Sequence, residues 1–427
     1  MKKILIITYY WPPQGGVGVQ RWLKLTKYLA KSGYKPIIYT SKDGVVPLRD
    51  DSLLDCIDPN VHIIKQKIFE PQKIFSFFRK HTFGSDILIK KSSNFLDKIL
   101  IWIRANFFIP DSRCFWIKPS INFLLKYLNK NPVDVIISTG PPHSMHMIAL
   151  GIKKMNPHIK WIADFRDPWT GIEYFDNLPL MCFAKKRHYK LEKKIVSNND
   201  LLLSVSPTWE KMFIKIGAQK TYVLPNGYDI EDYDKNNFSK EKDDHGFLIG
   251  HFGLYNKLRD HGFLWKILRD ISDNNVAFSR NLKLLFAGEV HDSFIPQLKN
   301  YKLHNQMDHF PYLAHSAAIK HMMTCDLLLV TQADTTSVLG RLPAKFFEYI
   351  GARRPILVIG KKNSDLEEIT SKISCAWFVD IGNEELLYST ILHIYNMRTS
   401  YNHVDDDTSI FSRENQAKKL IEIIHDI

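Results

Sequence analysis

Short apolar runs recur through both halves of the chain, and they limit the fold more than any other feature. The runs are too short for buried helices and lack the alternation of a half-exposed strand, so they predict parallel strands buried on both faces. Each run is followed by a loop and a segment with helical character. The sequence therefore predicts an α/β protein built from strand–helix–strand units. The runs lie at residues 4–8, 133–138, 201–205, 282–287 and 326–330.

The length of the chain predicts two domains of this kind. Its 427 residues exceed what one hydrophobic core usually organises. A Pro-Asn-Gly turn ends the first series of units, and the polar segment 231–245 follows as a linker. We expect an N-terminal Rossmann-like domain at 1–230 and a C-terminal Rossmann-like domain at 231–410. A final amphipathic helix is predicted at 411–427, with Ser412 as its N-cap.

Composition narrows the class of partner. The formal net charge of +13 suits an anionic partner such as a nucleotide sugar, an acidic lipid or a nucleic acid. The chain carries no nucleic-acid recognition motif, so we expect no nucleic-acid partner. The five cysteines are scattered and form no C-x-x-C pair, which predicts reduced thiols in a cytoplasmic protein. No apolar run approaches the roughly 20 residues that cross a bilayer.

Metal-ligand spacing is also missing from the sequence. No cluster of His, Cys and Asp has the separations typical of zinc or calcium sites. The acidic triplet 405–407 lies in a polar segment rather than at a strand end, so we interpret it as a solvated loop. We therefore expect no metal site.

The segment 331–360 contains the best-defined candidate for a binding site. A buried strand leads into a polar loop and then a helix, with Pro343 in its first turn and Gly351 at its C′ position. Open α/β sheets bind ligands at the carboxyl ends of their strands, where a helix N-terminus favours anions. Lys345 and Glu348 share one helical face and offer a cation for phosphates and a carboxylate for ribose. A solvated surface pair is the alternative interpretation.

A glycine-rich loop follows the first predicted strand. Gly15, Gly16 and Gly18 allow the backbone to approach a ligand closely, or they serve only a tight turn. Arg21 replaces the third glycine of G-x-G-x-x-G, which argues against a dinucleotide site. A basic stripe on the following helix is predicted either to face solvent or to contact anionic lipid head groups. The stripe consists of Arg21, Lys24, Lys27 and Lys31.

A second group of polar residues occurs where another predicted strand runs into a loop. Asp164, Arg166 and Asp167 are unfavourable in a buried core, so they predict either a functional site or an Arg–carboxylate pair that supports one. His143 precedes a helix for which Ser144 is the expected N-cap. We expect His143 to point to the same edge of the sheet as the other three residues.

Residues 68–128 form an aromatic and basic insertion in the first domain. The insertion lacks strand alternation, and we expect helices at 74–78, 96–108 and 120–128. Such a segment suits a peripheral membrane contact, while ordinary helices covering the sheet are the alternative. The basic run at 182–195 is predicted to be a solvated helix face.

The helix that carries Glu348 resembles the donor-binding helix of glycosyltransferase family 4, whose members are two-domain GT-B enzymes. Leu342, Pro343, Glu348 and Pro355 match the family pattern L-P-x-x-x-x-E-x-x-x-x-x-x-P. The family usually has a second Glu eight residues upstream of the first. Gly340 stands at that position here, so the donor-sugar contact of that Glu is not carried over.

Other family features occur in the family's order along nearly the whole chain. They are the Gly-Gly loop, the strand that ends in Pro-Asn-Gly-x-Asp at 225–229, a basic pair after the strand 247–253, and Asp326. The resemblance implies two Rossmann-like domains whose parallel sheets face a central cleft. It also implies that the last helix crosses back onto the first domain.

The resemblance implies roles for individual residues. The diphosphate would contact the basic pair Lys257 and Arg259, and Glu348 would hold the ribose. Arg166 and Asp167 take the place of a His-Asp pair common in the family. The implied catalytic residues are Lys257, Arg259, Arg166 and Asp167; the donor-binding residues are Gly15, Gly16, Tyr312, Arg341, Lys345 and Glu348; His143 is placed on the acceptor side.

The predicted function is transfer of a sugar from a nucleotide diphosphate sugar to a glycan or lipid-linked acceptor. The family usually retains anomeric configuration without a metal, and we expect no cofactor besides the donor substrate. The resemblance is to the bacterial surface-polysaccharide type, acting in the cytoplasm with contact to the cytoplasmic face of the membrane. Two alternatives stay open, a nucleotide-sugar epimerase of the same fold and a non-catalytic nucleotide-binding scaffold.

Overall fold

The structure is a computed structural model that describes residues 2–46, 48–71, 95–173, 175–233, 246–401 and 408–427. The predicted helix at 74–78, most of the predicted linker and the acidic triplet 405–407 lie outside these ranges. Contacts divide the chain into two compact units. Unit 1 comprises Met1–Pro225 and Gln416–Ile427, and unit 2 comprises Asn226–Asn415.

Unit 1 contains a parallel sheet of seven strands within the described ranges, in the order β3-β2-β1-β4-β5-β6-β7. Each crossover returns the chain to the same end of the sheet, as βα units require. The strands are β1 Lys3–Ile7, β2 Lys35–Ser41, β3 His62–Gln66, β4 Val135–Gly140, β5 Lys160–Phe165, β6 Leu201–Ser204 and β7 Thr221–Val223.

Unit 2 contains a second parallel sheet, with six strands in its described part and the order β10-β9-β8-β11-β12-β13. Both sheets thus have a point at which the strand order reverses. The strands are β8 Phe247–Phe252, β9 Leu282–Ala287, β10 Met307–Phe310, β11 Leu327–Thr331, β12 Ile356–Gly360 and β13 Ala376–Asp380.

Helices connect the strands of both units. In unit 1 the described α-helices are Val17–Lys31, Phe95–Phe107, Ile117–Lys130, Ser144–Met155, Cys182–Val196, Pro207–Ile216 and the final helix Arg413–His425, most of which belongs to this unit. In unit 2 they are Gly262–Asn274, Val276–Asn281, Phe294–Asn300, His315–Thr324, Ala344–Ala352, Asp365–Thr370 and Glu384–Met397. Among the described residues, no helix is both long and apolar enough to span a bilayer.

The strands are buried on both faces, as the apolar runs predict. In β1, Leu5 and Ile7 pack into the core on one face of the sheet, and Ile4 and Ile6 pack into the core on the other. This period of two within one strand follows from the pleat. Burial on both faces leaves the strand ends and their loops as the places where polar side chains collect.

The final helix packs against the first sheet. Its apolar face, which includes Leu420 and Ile424, belongs to the same core as Ile4 and Ile6 of β1. The Oγ of Ser412 accepts a hydrogen bond from the amide of Asn415 at 3.2 Å, so the expected N-cap is confirmed. The last helix therefore forms part of unit 1 although unit 2 precedes it in the sequence.

The prediction that the basic stripe of the first helix faces solvent or lipid head groups is wrong for two of its four residues. Arg21 is fully buried and Lys24 is 3% exposed, while Lys31 is exposed. The sequence pattern was misleading because the helix Val17–Lys31 is covered more widely than a surface helix, with a core that includes the final helix. The later half of the helix presents its basic groups to solvent, with Lys27 half-buried and Lys31 exposed.

Two predicted helix ends also differ from the structure. The helix Ala344–Ala352 runs through Gly351 and ends with Arg353 in the left-handed region at φ +56°. A Cβ at Gly351 would lie 2.6 Å from the ring of Tyr233, so the glycine serves close packing rather than termination. Ser144 is likewise not a cap, because its amide and hydroxyl both donate to Asp111, at 2.8 Å each.

Candidate functional site

The strand order of the unit 2 sheet reverses between β8 and β11. Ligands of open α/β sheets bind outside the carboxyl ends of the strands at such a point. The loop after β8 carries Arg259, and the segment after β11 carries Arg341, Lys345 and Glu348. The fold thus brings four of the predicted site residues to one end of one sheet.

Lys345 reaches from its helix to the end of β8. Its Nζ lies 2.8 Å from Nε2 of His251, and 3.5 Å from the point that a Cβ on Gly253 would occupy. Gly253 has φ +94°, which favours glycine. Gly288 approaches its backbone so closely that a Cβ on Gly288 would lie 2.6 Å from the carbonyl carbon of Gly253. Exposed Gly253 leaves the strand end uncovered beside the lysine amine.

Positive charge is concentrated around Lys345. Burial lowers the pKa of Lys345 well below its ordinary value, and Arg259 and Arg341 add to this shift. Glu348, one turn further along the helix, acts in the opposite direction. The pKa of His251 is also well below its ordinary value because of burial, with Lys345 and Arg259 contributing. The cluster is therefore suited to an anionic ligand.

The Glu348 carboxyl lies in a polar environment. Burial raises its pKa above the ordinary value, and the side chains of His315 and Arg413 oppose that shift. Asp232 adds to the shift, and its Oδ2 lies 3.3 Å from Nε2 of His315. The backbone carbonyl of Glu348 accepts a hydrogen bond from the hydroxyl of Tyr233 at 2.7 Å, which anchors the helix at this turn.

Two predicted residues lie at the periphery of this site. Lys257 is exposed in the loop after β8, two residues before half-buried Arg259. Tyr312 is 40% exposed in the loop between β10 and the helix His315–Thr324. The contact of Lys257 with the diphosphate and the role of Tyr312 in donor binding stay predictions.

The unit 1 sheet reverses its order between β1 and β4, and a second polar group lies at that end. Half-buried Arg166 follows β5, donates to the carbonyl of Pro141, and has its guanidinium 5.7 Å from the ring centre of Tyr10. A Cβ on Gly18 would lie 2.7 Å from the Arg166 guanidinium, so the glycine makes room for this side chain. Burial lowers the pKa of Arg166, and the negative charges of Asp164 and Asp167 oppose that shift.

His143 lies beside Arg166 in the same group. It is 6% exposed and stacks on Trp169, with ring centres 4.9 Å apart. Burial holds the pKa of His143 well below its ordinary value, with His146 and Arg166 contributing, so the imidazole is neutral at neutral pH. Its Nδ1 has no hydrogen-bond partner among the described residues. This nitrogen is therefore enclosed by the protein and is not exposed to a ligand.

Asp164 belongs to the frame of unit 1 rather than to a binding surface. Its carboxylate pairs with Arg21 at 2.9 Å and accepts hydrogen bonds from Trp22 Nε1 at 2.7 Å and Thr139 Oγ1 at 2.8 Å. Arg21 also donates to the carbonyl of Leu224 at 2.9 Å. The supporting ion pair anticipated from the sequence thus exists, but its arginine is Arg21 and not Arg166.

The glycine loop of unit 1 is ordered by its own backbone contacts. The amide of Gly15 donates to the carbonyl of Leu48 at 2.8 Å, so this amide is already occupied. Gly16 is exposed and has φ +92°, which requires the conformational freedom of glycine. Of the two, Gly16 is the one whose backbone is open to approach by a ligand.

Sequence reasoning missed His146, His251 and the pair His315–Asp232. His251 lies within an apolar strand, and a histidine in a run such as FLIGHF was the available signal. Asp232 fell in the segment interpreted as a linker. Asp232 lies near Glu348 because the short helical turn Ile230–Tyr233 contacts the helix Ala344–Ala352. No local sequence pattern indicates this contact.

No protein-family model matches the chain, and no curated protein matches its sequence. Solved structures match along its whole length. A sucrose-phosphate synthase from Thermosynechococcus elongatus matches with a TM-score of 0.66 at 11% identity, covering 100% of this chain and 99% of that chain. WaaG, a glycosyltransferase involved in lipopolysaccharide biosynthesis, matches at 0.56 and 13% identity, covering 99% of both chains.

The chain has the GT-B fold. The fold class predicted from the sequence, two Rossmann-like units with parallel sheets, is thereby confirmed. The GT-B fold is not confined to transferases. A protein assigned as a UDP-N-acetylglucosamine 2-epimerase from Listeria monocytogenes matches with a TM-score of 0.56 at 12% identity, covering 99% of this chain and 96% of that chain.

Proposed function

We propose that this GT-B protein is a glycosyltransferase that moves a sugar from a nucleotide diphosphate sugar to a glycan or lipid-linked acceptor. The observation that carries the proposal is the convergence of Arg259, Arg341, Lys345 and Glu348 at the strand-order reversal of unit 2. Two arginines and a lysine amine next to one carboxylate suit a ligand with a diphosphate and a neighbouring diol. A nucleoside diphosphate has both.

The chemistry explains why cations are needed there. When the bond between sugar and phosphate breaks, the sugar gains oxocarbenium character and the diphosphate gains negative charge. Fixed positive groups and helix-end amides aimed at that charge stabilise the transition state. We assign this role to Arg259 and Arg341, together with the first amides of the helix Ala344–Ala352. Glu348 would accept hydrogen bonds from the ribose hydroxyls.

We assign the acceptor to the group around His143, Arg166 and Asp167 in unit 1. Arg166 and Asp167 are half-buried and follow β5, at the end of the sheet where open α/β sheets bind ligands. Retention of configuration and independence from metal ions are part of the proposal, in keeping with the resemblance to glycosyltransferase family 4. So is the role in making a bacterial surface polysaccharide in the cytoplasm.

A peripheral membrane contact is also part of the proposal, and an aromatic surface of unit 1 supports it. Phe95 is 75% exposed, Phe107 is 59% exposed and Phe183 is 47% exposed. Phe107 joins the two helices involved, since its ring centre lies 5.8 Å from Trp102 and 6.2 Å from Phe183. Exposed lysines on the helix Cys182–Val196 add positive charge, which suits an anionic leaflet.

Nucleotide-sugar screening tests the proposed function. We expect at least one nucleotide sugar to raise the thermal unfolding temperature and to release its nucleoside diphosphate when a suitable acceptor is present. For the membrane contact, the protein should sediment with phosphatidylglycerol vesicles, and Phe107→Ser should reduce that binding. Stabilisation by no nucleotide sugar would contradict the assigned site.

The epimerase is the second candidate, and the match to the Listeria monocytogenes protein favours it. An epimerase needs no acceptor, because it inverts one centre of the sugar. Incubation with UDP-N-acetylglucosamine alone distinguishes the two. Formation of an epimer without an acceptor supports the epimerase, and acceptor-dependent release of the nucleoside diphosphate supports the transferase.

A further inference from the structure

His251 is held rigidly beside Lys345. It lies in the buried strand β8, is 1% exposed, and stacks on Phe286 with ring centres 5.4 Å apart. Its Nε2 faces Lys345 Nζ at 2.8 Å, and its Nδ1 has no hydrogen-bond partner in the described part of the chain. The imidazole therefore has one nitrogen committed to the lysine and one enclosed without a partner.

The ammonium form of Lys345 restricts the tautomer of His251, whereas the neutral amine can both accept and donate a hydrogen bond. A neutral amine accepts a hydrogen bond from Nε2–H, and Nδ1 then carries only a lone pair. An ammonium group has only donors, so it needs a bare Nε2, which moves the imidazole proton to Nδ1. A buried N–H without a partner is costly, so the empty site favours the neutral amine.

The charges around Lys345 also favour its neutral amine. The charged and titratable groups that face Lys345 are His251 on β8, Arg259 in the loop after β8, Arg341 before the helix, and Glu348 on the next turn. The two arginines lower the pKa of Lys345, and the one carboxylate raises it. Together with burial they hold the Lys345 pKa well below its ordinary value in the ligand-free protein. A bound dianion would reverse that balance.

We propose that His251 and Lys345 form a proton-accepting pair that takes up one proton from solvent when the diphosphate of a nucleotide sugar binds. The amine becomes an ammonium group that donates both to a phosphate oxygen and to Nε2, and the imidazole proton moves to Nδ1. Lys345 is then a ligand contact, and His251 is a positioning residue that acts through it. This inference rests on the proposed function.

The linkage has a defined sign. Below the lowered pKa of Lys345 in the free protein the amine is already charged, and affinity is independent of pH. Above that pKa, and up to the higher pKa of the complex, each binding event consumes one proton. Affinity for the nucleotide sugar then falls about tenfold for each unit of rising pH.

Calorimetry with UDP-glucose and GDP-mannose tests the pair directly. Both phosphates of these ligands are esterified, so the ligands do not titrate near neutral pH. Titrations at a series of pH values, each in buffers of different ionisation enthalpy, give the number of protons taken up at each pH. We expect the uptake by native protein to rise with pH to close to one proton per bound ligand. Binding of either sugar nucleotide with no proton uptake at any pH of the series would overturn the inference while leaving the proposed function intact.

Amino-acid substitutions test whether His251 and Lys345 take up the proton. Lys345→Met should abolish the proton uptake and weaken binding on the order of tenfold to a hundredfold. His251→Phe keeps a ring in the stack and should weaken binding, and adding it to Lys345→Met should cost nothing further. Lys372→Met, at an exposed lysine outside the site, serves as the matched control and should take up the proton normally.

The remaining outcomes distinguish an error in the proposed His251–Lys345 pair from an error in the proposed function. The pairing would be overturned if the two substitutions weakened binding additively in the double variant. It would also be overturned if a fall in thermal stability explained the weaker binding of His251→Phe, because the histidine would then have only a structural role. Failure of native protein to bind any nucleotide sugar would overturn both the inference and the function on which it rests.

Discussion

Arg21 and Asp164 form a fully buried ion pair in unit 1, with Nη2 and Oδ1 2.9 Å apart. The pair joins the first helix to the end of β5, and through the carbonyl of Leu224 it reaches the last residues of the unit's first segment. A buried charge that loses its partner is strongly destabilising, whereas replacement of both charges by apolar groups is often tolerated. The pair therefore makes distinct predictions for single and double variants.

We predict that Asp164→Asn lowers the free energy of unfolding by about 3–5 kcal/mol, since it leaves Arg21 buried without a counter-charge. Urea unfolding followed by fluorescence measures this. The double variant Arg21→Met/Asp164→Leu should recover much of the loss. A single variant as stable as the native protein would contradict the structural role of the pair.

The same pair predicts how unfolding depends on pH. Burial alone would raise the pKa of Asp164, but Arg21, Trp22 and Thr139 lower it below the ordinary aspartate value. A carboxyl with a depressed folded-state pKa contributes stability at neutral pH that is lost as the pH falls through that pKa. Native protein should thus lose stability in acid more steeply than Asp164→Asn. Parallel acid profiles for the two proteins would contradict the shift.

The close packing at Gly351 predicts that a substitution that would normally favour a helix destabilises the protein. Alanine has a higher helix propensity by about 1 kcal/mol, yet its Cβ would lie 2.6 Å from the Tyr233 ring. We expect Gly351→Ala to lower the free energy of unfolding by about 1–3 kcal/mol, which thermal or urea unfolding measures. Gly262→Ala is the matched control, because its nearest neighbour, Gln297 Nε2, is 3.4 Å away, and it should be close to neutral.

Glu348 is predicted to contribute to donor binding. Glu348→Ala should weaken the affinity for a nucleotide sugar on the order of tenfold to a hundredfold, because the ribose hydroxyls lose a charged acceptor. Calorimetric titration gives the dissociation constant. Glu368→Ala, which removes an exposed carboxylate paired with Lys372, is the control and should bind like native protein. Equal affinity of the two variants would remove Glu348 from the site.

Arg259 is predicted to act mainly on the reaction rather than on binding. Arg259→Ala should lower kcat on the order of a hundredfold to a thousandfold, with a smaller effect on the dissociation constant, because charge on the diphosphate develops as the bond breaks. Steady-state kinetics and calorimetry provide the two quantities. Arg269→Ala, at a half-buried helix position paired with Asp273, should leave both unchanged. A loss confined to binding would assign Arg259 a different role.

Local patterns in the sequence accounted for the fold and for the helix that carries Glu348. Short apolar runs predict parallel strands because burial on both faces leaves no alternation, and the strands at β1, β4, β9 and β11 are found where these runs occur. The Glu348 helix was found because proline at its start is a local signal. Both properties depend on neighbouring residues only.

Contacts between distant segments explain what the sequence did not reveal. Arg21 was assigned to a basic stripe, because helical periodicity does not show that Asp164 lies opposite it. Gly351 was taken for a helix end, because the ring of Tyr233 that requires it lies far away in the sequence. His251 was overlooked because its partner Lys345 comes from another strand–helix unit. Each error concerned a residue whose role depends on tertiary packing.

The most direct test of the account is acceptor-dependent release of nucleoside diphosphate from a panel of nucleotide sugars, measured for native protein and for Arg259→Ala, Lys345→Met and Glu348→Ala. We predict that native protein releases the diphosphate from at least one donor and that all three variants release it more slowly, with Arg259→Ala the slowest. Release at the native rate by all three variants would contradict the claim that unit 2 grips the donor through this cluster.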